Sequence, residues 1–144
     1  MPRTVALVAC VGKKQPTPRP ARELYCSDWF RKASAYADRV SDDWYILSAE
    51  HGLVAPATVI APYDKTLKRM PTGARRAWAK QILHNLGQVL QPGDRVVILA
   101  GRDYRAHLMA SLREMGCLVE IPMEGLAIGQ QLAWLKRQLE SSDG

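Results

Sequence analysis

The sequence predicts an α/β fold, a three-layer sandwich with a small, mainly parallel four-stranded sheet. Two observations carry this. Apolar runs of strand length alternate with segments of helical periodicity, and the runs are almost continuously apolar rather than alternating. Strand followed by helix, repeated four times, calls for parallel strands joined by crossovers, with helices on both faces.

The first strand is Val5 to Cys10, rich in β-branched residues. The basic loop GKKQPTPRP that follows excludes regular helix, because Pro16, Pro18 and Pro20 remove donors and clash with the preceding turn. From Ala21 to about Val40 the pattern turns helical, with Leu24, Trp29, Phe30, Ala33 and Ala37 near one face. Asp42 and Asp43 end it, and WYILSA makes a second strand. Glu50 to Pro71 reads as a long loop carrying Pro56, Pro62 and Pro71, a length that usually means function or disorder. Thr72 to Leu90 is a second helix, with Trp78, Ile82, Leu86 and Val89 on one stripe and Thr72 as N-cap. DRVVILAG is the third strand, entered by the turn Gln91-Pro92-Gly93. A helix from Tyr104 to Met115 stops at Gly116, CLVEIP is the fourth strand, and a last helix spans Ile128 to Leu139. Residues 1–140 are expected to form one domain, and 141–144 a disordered tail.

At 144 residues such a domain buries about two-thirds of its unfolded surface. No apolar run approaches the roughly 20 residues of a membrane span, so no membrane partner is expected, and the first apolar segment reads as a strand rather than a leader. Three cysteines without C-x-x-C spacing argue against a disulfide framework or a zinc site and point to the cytoplasm; no metal or cofactor is expected. The net charge of +6 and a pI near 9.5 favour a polyanionic partner, nucleic acid or nucleotide. Oligomeric state is not legible.

Ligands of open α/β sheets sit outside the carboxyl ends of the strands. Here those ends are Cys10 to Lys14, Ser48 to Gly52, Ala100 to Tyr104 and Pro122 to Gly125. Each brings a glycine and a charged side chain. Glycine permits close backbone approach, although tight βα turns use it anyway. Gly52, Gly101, Gly125 and Gly129 are therefore candidates for ligand approach, and the last two open a helix in GLAIGQ.

Individual side chains keep two readings. Lys14, with Lys13, Arg19, Arg22 and Arg102, either holds phosphates or belongs to a solvated loop. His51 is a general acid or base, its unperturbed pKa being near neutrality, or a turn histidine bonded to backbone. Asp64, in PYDKTL, either activates water or holds a sugar hydroxyl, or else caps a turn with Thr66. Ser48 and Tyr63 are substrate-binding candidates; Tyr25 and Tyr104 are aromatic platforms for a base. Tyr36 and Tyr45 read as core, Cys10 as a small packing residue, and His84 and His107 as surface or packing residues. The Walker loop, the G-x-G-x-x-G fingerprint, H-E-x-x-H and G-x-S-x-G are all absent.

These pieces together resemble a family of short, largely uncharacterised bacterial and phage proteins. The resemblance rests on Cys10 with Lys14, L-Y-x-S-x-x-F at Leu24 to Phe30, and I-L-S-A-x-H-G-L at Ile46 to Leu53. It continues with P-Y-D-x-T-L at Pro62 to Leu67, A-G-x-x-Y at Ala100 to Tyr104, and G-x-x-I-G-x-x-L at Gly125 to Leu132. The layout is more distantly similar to the base-modifying domain of archaeosine synthase and to the uracil-DNA-glycosylase-like fold. That similarity implies a pocket for a nucleobase, flipped from its strand. The chain has neither the Pro-Cys-Ser-x-x-K-Pro-Tyr stretch of the former nor the G-Q-D-P-Y loop of the latter.

Three functions stay open at this point. One is an enzyme acting on a base or N-glycosidic bond in DNA or RNA, with Asp64 and His51 catalytic. Another is a non-catalytic nucleic-acid or nucleotide module in stress response or phage conflict. The third is an enzyme of free nucleotides or nucleosides.

Overall fold

A computed structural model describes residues 2–10 and 13–141. Its centre is a five-stranded sheet in the order β4-β3-β1-β6-β7. The four expected strands are β1 (Thr4–Ala9), β3 (Asp43–Ser48), β6 (Arg95–Leu99) and β7 (Leu118–Glu120), all mutually parallel. The fifth, β4 (Gly52–Val54), was expected to be loop; it turns back antiparallel on β3, pairing Ile46 with Val54 and Ser48 with Gly52. Its three residues are too few to show a period.

β1 is the central strand, and Val5 to Ala9 are at most 2% exposed. Its side chains alternate between two cores. Ala6 and Val8 face α2 (Asp28–Val40) and α6 (Ile128–Ser141), meeting Phe30, Ala33 and Leu135. Val5 and Leu7 face α3 (Thr72–Leu86) and α5 (Met109–Glu114), meeting Trp78, Ile82 and Leu112. A helix layer on each face makes the three-layer sandwich. A side chain such as Phe30, fully buried, contributes about 1.5–3 kcal/mol by leaving water.

Several helix bounds differ from the sequence reading, each for a local reason. The segment from Ala21 breaks into α1 (Ala21–Leu24) and α2, because Tyr25 is extended and bridges Lys14, and Ser27 starts a new helix by accepting from the Phe30 amide at 3.1 Å. The segment before Gly116 is likewise α4 (Arg102–Arg105) and then α5. Pro71, not Thr72, occupies the N-cap of α3. The long loop after β3 holds β4, β5 (Val59–Ile60) and a 3-10 turn at Leu67–Arg69. β5 pairs with β2 (Arg19–Pro20), which zips the two proline-rich loops together. Ser141, expected in the tail, ends α6; residues 142–144 lie outside the described residues.

No helix among the described residues is long and apolar enough to cross a membrane. The three cysteines are free, and no group of metal-ligating side chains occurs among the described residues.

Candidate functional site

The strand order places a switch between β1 and β6. The chain leaves β1 toward β3 on one side and leaves β6 toward β7 on the other, which opens a crevice at their carboxyl ends. The loops after those two strands supply Cys10, Lys14, Gly101 and Tyr104. Main-chain bonds from Gln15 N to Leu24 O at 2.7 Å, and from Cys26 N to Lys13 O at 2.9 Å, hold Lys14 beside Tyr25.

Behind the crevice lies a partly buried polar hub centred on Tyr63. Ser48 Oγ donates to the Tyr63 hydroxyl at 2.8 Å, the Tyr25 hydroxyl lies 2.7 Å from it, and Cys10 Sγ lies 3.1 Å from it. Proton counting sets the polarity. The Cys10 thiol donates to the Leu47 carbonyl at 3.1 Å, so the Tyr63 proton goes to Cys10 Sγ and the Tyr25 proton to the Tyr63 oxygen. Tyr63 thereby accepts two bonds and donates one. Its hydroxyl is saturated and has no capacity left for a ligand.

Burial drives the hydroxyls of Tyr25, Tyr63 and Tyr104 to ionise well above the ordinary phenol range, with the neighbouring Cys10 thiol adding to the effect. Lys14 Nζ stands 4.5 Å from the centre of the Tyr63 ring and 5.7 Å from that of Tyr25. Such cation–π contacts contribute about 0.5–1 kcal/mol at exposed sites and more when dry.

In front of the hub is a hollow of about 270 Å³, lined by Cys10, Lys14, Tyr63, Asp64, Lys68 and Tyr104 among others. It is slightly smaller than the roughly 300–1,000 Å³ of small-molecule sites. Its back is aromatic and hydrogen-bond-saturated; its charged groups are one carboxylate and three lysines, Lys65 being the third. Tyr104 is held by donating to the Cys10 carbonyl at 3.3 Å and by an edge contact with Trp78, whose indole N–H bonds the Ser48 carbonyl at 2.8 Å.

The wall carrying Asp64 to Lys68 is braced from outside. Arg75 on α3 donates to the carbonyls of Leu67, Lys68 and Met70 at 2.7–3.0 Å and reaches Asp103 at 3.4 Å. Nothing in the sequence pattern singles out Arg75 among its neighbours.

His51 sits elsewhere. The β3–β4 turn Ala49-Glu50-His51 closes with Gly52 at φ +72, a conformation L side chains resist. The His51 ring abuts the Tyr63 ring at 5.2 Å, and the residue lines a neighbouring hollow of about 420 Å³ with Glu50, Gly52 and Trp78. Lys65 lines both hollows and lies 4.0 Å from Glu50. Asp64 and His51 are thus neighbours across Tyr63, in adjoining hollows.

The remaining expected residues distribute as follows. Ser48 is fully buried, its hydroxyl also accepting from the His51 amide at 2.9 Å, so it touches no ligand and acts through Tyr63. Tyr25 is 2% exposed and packed on Phe30, so its ring offers no open face for stacking. Gly101, Arg102 and Gly125 line a separate cavity nearer β7, and Gly129 is exposed on α6 without lining any of these hollows. Arg22 lies against a further hollow with Asp38 and Trp44. Cys10, read from sequence as packing alone, is part of both the hub and the hollow; its place at the tip of the central strand was the available signal.

Comparison with known proteins gives two matches. The profile of a family of unknown function, DUF6884, matches residues 5–137. The uncharacterized protein YfjM of Bacillus subtilis (strain 168) is 27% identical over 146 residues, covering 96% of each chain. No solved structure matches the chain.

Proposed function

We propose, from the premise that the chain belongs to the family of unknown function DUF6884, that it is an enzyme processing a nucleobase in DNA or RNA. The reaction proposed is hydrolysis of an N-glycosidic bond, with a modified base as the preferred substrate. The observation that carries this reading is the hollow at the β1–β6 switch point, where Asp64 and three lysines border an aromatic wall whose own hydroxyl is saturated. The distant similarity of the sequence to the archaeosine synthase base-modifying domain and the uracil-DNA-glycosylase-like fold supports the same reading.

In this reaction the C1′–N bond breaks and its electron pair leaves with the base, which the Lys14 ammonium steadies. Water supplies the oxygen for the new C1′–O bond. Asp64 takes the water's proton and faces the positive charge that develops on the sugar. The tyrosine hub holds Lys14 in place and keeps the back of the hollow dry. His51, in the adjoining hollow, serves the flanking part of the substrate.

A second reading, a binding module without catalysis, is favoured by one observation: the carboxylate and the imidazole do not share a hollow. The test that separates them is incubation with oligonucleotides bearing normal and modified bases, followed by mass spectrometry. Free base with an abasic product establishes the enzyme. Salt-dependent binding without any product leaves the module.

A further inference from the structure

The carboxyl edge of the sheet holds more room than the hollow in front of Tyr63. Nearer β7 lies a cavity of about 410 Å³ whose accessible apolar floor includes Ile121, Leu126 and Ala127 and whose rim carries Arg102 and Arg105. Neither guanidinium has an acidic partner among the described residues, while Asp103 between them is turned to Arg75. An apolar floor beneath two unengaged arginines fits a ligand with a flat apolar face and an anionic edge. Arginine's planar fork matches phosphate oxygens, and its plane also stacks on heterocycles.

This cavity is not isolated. It shares Gly101 and Gln131 with a smaller hollow of about 180 Å³, and that hollow shares Lys68 and Tyr104 with the candidate site. The Gln131 carboxamide, which accepts from Trp29 Nε1 at 2.9 Å and donates to the Leu126 carbonyl at 2.8 Å, fixes the shared wall. Gly125, at φ +81, turns the chain on the cavity's far side, where no neighbour lies within 4 Å of an added Cβ.

Resting on the reading that the candidate site takes a nucleobase, we infer that the 410 Å³ cavity takes the adjoining nucleotide of a single-stranded polynucleotide. Its base covers the apolar floor and its phosphate meets Arg102 and Arg105. The substrate is then a strand, not a free nucleoside or nucleotide. A duplex would have to unpair and unstack at the site before offering a base face to the floor, so an already single strand is the preferred bound form.

The test uses the full chain, fluorescently labelled single strands of DNA and of RNA, and unlabelled mononucleotide as competitor, across a salt series. The wild type is expected to bind one or both strands far more tightly than the mononucleotide. Replacing both arginines (Arg102→Ala with Arg105→Ala) should weaken strand binding at low salt at least tenfold. It should also flatten the log–log salt slope by about 0.7, the share of one phosphate on a single strand. The charge-preserving pair Arg102→Lys with Arg105→Lys should restore the slope and only part of the affinity. Strand affinity and slope unchanged in the alanine pair, or mononucleotide competing as well as a strand, would overturn the inference while leaving the base-processing site intact. A wild-type protein that binds neither strand nor mononucleotide would instead sink the base-processing reading, and this inference with it.

Discussion

The hydroxyl of Tyr63 lies 2.7 Å from that of Tyr25, a residue 38 positions earlier in the chain. The pair joins the end of the first helical segment to the loop after β5. It is also the point from which Ser48 and Cys10 are held, so four stretches of chain meet on one oxygen. Removing that oxygen should therefore cost more than an ordinary hydrogen bond. Tyr63→Phe leaves Ser48, Tyr25 and Cys10 each short of a partner at a partly buried site, and a destabilisation of about 1–3 kcal/mol is expected. Tyr25→Phe should cost less, since it removes a single donor. In denaturant unfolding the double variant should fall short of the sum of the two, the mark of a shared network. Strict additivity would mean that the two rings act independently.

The same burial has a consequence at high pH. Tyr25, Tyr63 and Tyr104 hold their protons above the ordinary phenol range when folded, first through desolvation and then through Cys10. The unfolded chain releases those protons near the reference value of about 10. Above that value the folded state binds more protons than the unfolded one, so stability falls as pH rises; below it the contribution is constant. Phenolate absorbance in the native protein should lag behind that of the denatured protein as pH passes 10, then jump on unfolding. Full native titration of these tyrosines near 10 would contradict the partly buried hub.

Gly52 sets the β3–β4 turn with φ +72. Gly52→Ala should cost about 1–2 kcal/mol from backbone strain alone, since an added Cβ meets nothing closer than Ile82 Cδ1 at 3.8 Å. Thermal unfolding checks this. An unchanged midpoint would show that the turn relaxes without penalty.

Arg75 braces the wall that carries Asp64 and Lys68 through three carbonyls. Lysine keeps the charge but loses the fork, so Arg75→Lys should loosen the turn nearly as much as Arg75→Ala. Amide hydrogen exchange across Leu67 to Met70 should accelerate in both variants. Full protection in Arg75→Lys would assign the brace to charge alone.

The fold was legible because its four parallel strands are apolar enough to be read without context, and α2 and α6 carry clear stripes. β4 was not, because a three-residue strand has no pattern of its own and exists only through its pairing with β3. The break at Tyr25 to Ser27 had a local signal in Ser27-Asp28, but the apolar stripe ran through it. The site was legible in its parts. P-Y-D and S-A-x-H-G lie on the loops that border the two adjoining hollows. What spacing did not show is that Tyr63 comes between them, so that His51 and Asp64 face adjoining hollows, and that Ser48 and Tyr25 turn inward as supports. Those are tertiary contacts between positions 10, 25, 48, 51 and 63, which no local period encodes.

The most direct measurement is base release under single-turnover conditions by wild type, Asp64→Asn and His51→Asn, on an oligonucleotide that the wild type processes. Asp64→Asn is expected to slow release by about 10²–10⁴-fold while still binding the strand, and His51→Asn to slow it far less. Release by Asp64→Asn at the wild-type rate would contradict the assignment of the chemistry to the hollow in front of Tyr63.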